Sequence, residues 1–160
     1  MANWPGDGAV FPFCMPIIKQ FEGFRAAPYL DSVGVATIGY GTIQYPDGSK
    51  VTMKDPACTD TEATAWLSYE MSLKSKQIAP LLTRAASLHQ AAAMLSLAYN
   101  IGSGAFGSST VLRKFNGGDI ADAADAFLMW DKGTVDGKLI VIQGLLNRRE
   151  QERTIFLTAD

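Results

Sequence analysis

A glutamate, an aspartate and a threonine (Glu22, Asp31 and Thr37) stand in the spacing E-x8-D-x5-T inside the run FEGFRAAPYLDSVGVATIGYGT. Two carboxyls facing one another are what cleavage of a glycosidic bond requires. One keeps its proton and gives it to the leaving oxygen; the other is ionised and activates water or stabilises the cationic sugar. A threonine hydroxyl beside them can hold that water. Phe21 and Phe24 flank Glu22, an apolar setting that suits the acid keeping its proton, while Asp31 falls by a polar turn and is expected to be ionised. Taken alone, the three residues are better read as a solvated helix-end acid, a turn residue and a strand residue. The word GYGT at residues 39–42, directly after the triplet, changes the balance. Two glycines two residues apart on a strand mark a bend or a close approach of backbone to ligand, which makes Gly41 a candidate substrate contact.

The elements around the triplet follow from local signals. Ile17, Ile18, Phe21 and Phe24 keep roughly helical spacing, with Pro16 near the expected start and Gly23 at the end, so Glu22 sits in a last turn. Residues 29–31 and 35–38 read as strands about a turn at Ser32-Val33-Gly34, and residues 42–45 and 50–52 as strands about Pro46-Asp47-Gly48. Thr59 and Glu62 form a capping-box signature that opens a long helix to Leu82, with Leu67, Met71, Ile78 and Leu82 on one face. Further helices are expected over residues 85–100, 109–115 and 119–130. A loop around 133–137 then leads to a last helix over 143–157. This is an α+β pattern: a small β lobe over about 25–58, and a helical lobe over about 59–160 together with the first helix. Residues 1–14 are an N-terminal extension to a domain covering 15–160. A cleft between two such lobes suits a polymer.

Composition narrows the class. A chain of 160 residues, 48% hydrophobic and 19% charged, has enough apolar material for a core and no disordered signature. A formal net charge of −2 and a pI near 5.4 argue against a nucleic-acid partner. The apolar patch over residues 9–18 is broken by Pro12 and Pro16 and is too short to span a bilayer, so no stable membrane insertion and no secretion signal are expected. One histidine, His89, and two cysteines, Cys14 and Cys58, leave no metal cluster; no cofactor is expected, and the cysteines fit a disulfide or two free thiols equally.

At this point the chain resembles the phage-type lysozymes, the endolysin family of the bacteriophage T4 type. The resemblance rests on Glu22, Asp31, Thr37 and the following TIGYG, on LSLAYNIGSGAFGSSTVLRKFNGGD (residues 95–119), and on GLLNRREQE (residues 144–152). It covers about residues 15–158. It implies a lysozyme-like fold whose two lobes are joined by a long helix, and a muramidase that hydrolyses the β-1,4 bond between N-acetylmuramic acid and N-acetylglucosamine in bacterial peptidoglycan. By the same resemblance Glu22 is the proton donor, Asp31 the base or electrostatic partner, and Thr37 the residue that positions water, with inversion at the sugar. Ile43 and Tyr99 match positions flanking the sugar, Ser109 a polar contact, and Arg148 or Arg149 a counter-charge to the acids. Their structural alternatives are strand core, helix core, an N-cap, and a solvated helix pairing Arg148 with Glu152.

The chain departs from the family in carrying Thr42 where the T4-type enzyme has a histidine, and Ala126 where it has a polar cleft residue. The resemblance further implies a monomer made in the host cytoplasm that acts on the wall in the periplasm after release by a separate holin. Two other readings compete, and the intact triplet argues against both. A lytic transglycosylase cuts the same bond without water and works with one glutamate. A silent peptidoglycan-binding module would need none of the three residues. The same muramidase chemistry would also serve a secreted effector or a tail-associated enzyme.

Overall fold

The computed structural model describes residues 3–160, which divide into two compact units. One takes the chain up to Ile17 and from Lys74 onward; the other is Ile18–Leu73. The α+β class holds, with the strands that matter for the triplet in the smaller unit.

The Ile18–Leu73 unit begins in helix α1 (Asp7–Glu22), passes through strands β1 (Arg25–Leu30) and β2 (Ala36–Gly39), and ends in helix α2 (Asp60–Ile78). The strands pair antiparallel, with Tyr29 opposite Thr37 and Leu30 opposite Ala36; the register is irregular between there and the pair of Arg25 with Gly39. The sheet stops at two strands. Residues 42–45 and 50–52, expected as strands, form only isolated bridges, Ile38 with Thr42 and Gln44 with Lys50. The cause is the backbone at Gly39 and Gly41, which have φ of 65° and 84°. This left-handed conformation turns the chain out of the ladder, and glycine alone adopts it at no steric cost. The turn at Pro46-Asp47-Gly48 forms as expected, closed by Gly48 N–H donating to the Tyr45 carbonyl at 2.9 Å.

Helix α2 starts on the predicted capping box: Glu62 N–H donates to Thr59 Oγ1 at 3.2 Å and Thr59 N–H to Glu62 Oε1 at 3.1 Å. Leu67, Met71, Ile78 and Leu82 are all buried. The α-helix ends at Ile78 and tightens into a 3-10 turn, Ala79–Leu81, because Pro80 has no N–H to continue it.

The other unit is built on helix α3 (Leu88–Ile101), which is followed by α4 (Ser103–Gly107), α5 (Thr110–Asn116), α6 (Ile120–Ala126) and α7 (Gln143–Leu157). Residues 91–98 of α3 are buried on every side, so this helix is the centre of the core. Phe156 of α7 closes it against Phe127 and Phe115, with ring centroids 5.2 and 6.3 Å away. Two expectations need correction. Helix α1 begins at Asp7, well before Pro16, and carries Pro12 and Pro16 inside it. Val10, Cys14, Ile17 and Ile18 are buried along one face, and that burial outweighs the hydrogen bonds the prolines cannot make. Residues 7–14 thus lie in the same helix that runs on to Glu22. The expected loop around 133–137 is instead a hairpin, β3 (Lys132–Val135) with β4 (Lys138–Val141). It turns at Asp136 and Gly137, both at positive φ (51° and 76°), as a two-residue hairpin turn requires.

Candidate active site

Glu22, Asp31 and Thr37 all fall within the Ile18–Leu73 unit. Glu22 is the last residue of α1, and Gly23 follows at φ 74° with its N–H donating to the Lys19 carbonyl at 2.9 Å. This glycine cap ends the helix and fixes where the Glu22 carboxyl emerges. Glu22 is half-buried, while Phe24 is 41% exposed, so of the two flanking phenylalanines Phe24 gives it little cover. The close neighbour is Gly41, where a Cβ would lie 3.2 Å from Glu22 Oε2. The glycine word after the triplet thus leaves room for the carboxyl itself.

Asp31 leads out of β1 and organises the turn into β2. Its Oδ1 accepts from the N–H groups of Val33 and Val35, both at 2.9 Å, and its own N–H donates to the Val35 carbonyl at 3.0 Å. Oδ2 takes part in none of these bonds. The carboxylate is held by backbone on one side and presents an oxygen on the other. Thr37 lies in β2 and is buried, with Oγ1 donating to the Val35 carbonyl at 2.8 Å. Its only proton is engaged, so toward any further partner the hydroxyl acts as an acceptor. Val35 therefore ties Asp31 and Thr37 together through its N–H and its carbonyl.

The surrounding residues hold this frame. Arg25 stacks on the Tyr29 ring at 4.1 Å, and Lys19 lies 5.0 Å from the centre of the Tyr40 ring. The Tyr40 hydroxyl donates to Asp60, and that bond, with burial second, pushes its pKa up to about 12. Ile43, two residues after Gly41, is 50% exposed and open to a ligand rather than strand core.

The candidates in the helical unit fare differently. Tyr99 is half-buried on α3. Ser109 is buried as the N-cap of α5: its hydroxyl accepts from Leu112 N–H at 3.2 Å and donates to the Phe106 carbonyl at 2.7 Å. Arg148 is buried too, with Nε 3.4 Å from Glu152 Oε2 and Nη2 donating to the Ser96 carbonyl at 3.3 Å. Both have internal partners in the core, as the N-cap and Glu152-pair alternatives require. The expected solvated face for the Arg148–Glu152 pair is corrected as well. Arg149 and Glu152 are fully buried, Nε and Oε1 lie 2.6 Å apart, and the Ser96 hydroxyl donates to Glu152 Oε2 at 2.5 Å. Burial pushes the Glu152 carboxyl above the ordinary range, and the two guanidiniums pull it back.

Cys14 and Cys58 are both buried free thiols, which answers the open pairing question. Among the described residues, no group of three or more His, Cys, Asp or Glu could hold a metal ion, and no helix is long and apolar enough to cross a membrane.

Comparison with known proteins gives one consistent answer. The phage lysozyme family model matches residues 19–152. An endolysin of Acyrthosiphon pisum secondary endosymbiont phage 1 is 35% identical, over 89% of this chain and 94% of its own. Among solved structures, the endolysin from Escherichia coli O157:H7 phage FAHEc1 superposes with a TM-score of 0.86 at 34% identity, covering 92% of each chain. The muramidase domain of SpmX from Asticaccaulis excentricus does so at 0.78 and 30% identity, covering 96% of this chain and 97% of its own.

Proposed function

The chain belongs to the phage lysozyme family of peptidoglycan-lytic proteins, and we propose that it acts as a muramidase, hydrolysing the β-1,4 bond between N-acetylmuramic acid and N-acetylglucosamine. The observation that carries this reading is the way Val35 couples the second acid to the threonine. Val35 N–H fixes Asp31 Oδ1, and the Val35 carbonyl takes the Thr37 proton, leaving two acceptors for one water. A water whose two hydrogens point at Asp31 Oδ2 and Thr37 Oγ1 presents its lone pair to an anomeric carbon.

The steps follow from that arrangement. Glu22 delivers its proton to the leaving glycosidic oxygen as the C–O bond breaks, and the sugar passes through an oxocarbenium-like state. The water attacks carbon 1, and Asp31 takes the proton it loses. Gly41 lets strand backbone, and with it the glycan, come close to Glu22; Ile43 and Tyr99 are proposed glycan contacts. Attack by a water held opposite the leaving group inverts the anomeric configuration. A transglycosylase needs no second acid and no water site, so Asp31 and Thr37 in these bonding states favour hydrolysis over that alternative. We further propose that the protein works as a monomer on the bacterial wall after release from the host cytoplasm.

The reading is tested with Glu22→Gln, which keeps the shape and removes the proton. Clearing of purified peptidoglycan should fall by about 10²–10⁴-fold, the usual worth of general acid catalysis, with an unchanged melting curve. Wild-type clearing by that variant would refute the role of Glu22.

A further inference from the structure

The backbone corner that faces Glu22 carries one large side chain. Tyr40 stands between Gly39 and Gly41, which have φ of 65° and 84°, and it is 7% exposed. We propose that Tyr40 and Asp60 are positioning residues for the proton donor: the hydrogen bond between them holds the corner on α2 and so fixes the surface against which the Glu22 carboxyl rests. The proposal rests on the muramidase reading and deepens it. Every residue in it belongs to the Ile18–Leu73 unit.

The first argument is that the corner needs holding. Glycine reaches a left-handed φ at no steric cost, but the same freedom means that it does not enforce that conformation. The base is closed, because Ile38 and Thr42 exchange N–H to carbonyl bonds of 2.9 Å. Above the base stand two glycines and Tyr40. The corner is also wedged. A Cβ at Gly39 would lie 2.9 Å from Ala63 Cβ of α2, and a Cβ at Gly41 would lie 3.2 Å from Glu22 Oε2. Movement of the corner therefore changes the space that the carboxyl occupies.

The second argument is convergence. The Tyr40 hydroxyl donates to Asp60 Oδ1, and Lys19 Nζ lies 3.8 Å from the same oxygen. Asp60 is the first residue of α2, and Lys19 is three residues before Glu22 on α1. Phe24, two residues after Glu22, packs on the Tyr40 ring at 5.4 Å, and Lys19 Nζ lies 5.0 Å from the ring centre. The Lys19 carbonyl accepts the Gly23 N–H that caps α1. One carboxylate oxygen thus joins the helix that carries the acid, the corner that faces it, and α2.

The third argument separates geometry from stability. The Asp60 side chain is 63% exposed and that of Lys19 27%. Ion pairs open to water add little to folding, so the fold does not depend on this one. A proton donor does depend on placement, since misplacement by about 1 Å costs on the order of 10²-fold in rate. Asp60 also suits the N-terminus of α2 by its charge. Asp60→Asn divides the two roles, because it drops the charge and keeps an oxygen for Tyr40.

The test measures kcat and KM of the full-length protein on soluble glycan strands. Tyr40→Phe should lower kcat about tenfold, the worth of one ordinary hydrogen bond, with KM and the melting curve nearly unchanged. Asp60→Ala should do the same, and Asp60→Asn should recover most of the loss. The double variant Tyr40→Phe/Asp60→Ala should be no slower than either single one, because both remove the same bond. Wild-type kcat in Tyr40→Phe, or additive losses in the double variant, overturns the proposal. A raised KM at unchanged kcat overturns it too, and makes Tyr40 a glycan contact. Glu22→Gln on the same strands separates the two claims. If it cuts as fast as wild type, or wild type leaves the strands uncut, the muramidase reading falls; if it is silent while Tyr40→Phe runs at full speed, the positioning role alone falls. Should Tyr40→Phe not fold, the exposed Asp60 decides, and equal kcat for Asp60→Ala and Asp60→Asn overturns the proposal.

Discussion

Val35 contributes no side-chain chemistry, yet its backbone decides what Asp31 and Thr37 can do. Such a role is invisible in a spacing pattern, because the signature names the side chains and not the carbonyl and N–H that set their bonding states. Gly41 is the residue-scale counterpart: its φ of 84° and its contact with Glu22 both require glycine. In Gly41→Ala the left-handed backbone costs about 1–2 kcal/mol, and the new methyl crowds Oε2. A melting temperature lower by several degrees is expected, with clearing activity reduced tenfold or more in protein that is still folded at the assay temperature. Calorimetry and a turbidity assay on the same preparation check it; full activity would mean the carboxyl does not work from this position. The triplet and the glycine word were legible because residue type and order carry them. The Ser109 cap and the Arg148–Glu152 pair were legible as alternatives too, whereas their burial was not, because only the fold shows which helix faces are covered.

Elements were legible where a local rule met a consistent pattern. Thr59 with Glu62 starts α2, and the 67, 71, 78, 82 face is buried as its spacing requires. Local rules failed where long-range packing overrode them. Pro12 and Pro16 read as breakers but lie inside α1, since Val10, Cys14, Ile17 and Ile18 bury a face there. The β3–β4 hairpin was missed because exposed Val135, Leu139, Ile140 and Val141 leave no alternation to read, although Asp136-Gly137 is itself a turn signal. Helix α7 carries the sharpest stability prediction at this scale. Glu152→Ala leaves Arg148 and Arg149 buried without their carboxylate, and removal of one partner from such a cluster costs about 3–5 kcal/mol. Chemical denaturation should show that loss, whereas a cost under about 1 kcal/mol would show that water reaches the guanidiniums.

For the whole molecule, each compact unit holds one buried thiol, so its integrity does not depend on a disulfide. Burial pushes Cys14 from its ordinary 9.0 to about 12 and raises Cys58 as well. A raised folded pKa leaves stability intact below pH 9 and erodes it as pH climbs from there toward 12. Native protein at pH 8 should therefore react slowly with a thiol reagent, which needs thiolate, and should label at both cysteines once unfolded. Reducing agent should not change its activity; fast native labelling of Cys14 would contradict the buried helix face of α1. The central claim, however, is that water is the second substrate. Digestion of peptidoglycan in ¹⁸O-enriched water, with mass analysis of the released fragments, tests it most directly. Hydrolysis through Asp31 and Thr37 predicts muramic acid ends that are reducing and carry the heavy oxygen, and none from Glu22→Gln. Unlabelled 1,6-anhydro ends would show that no water attacks and would overturn the mechanism.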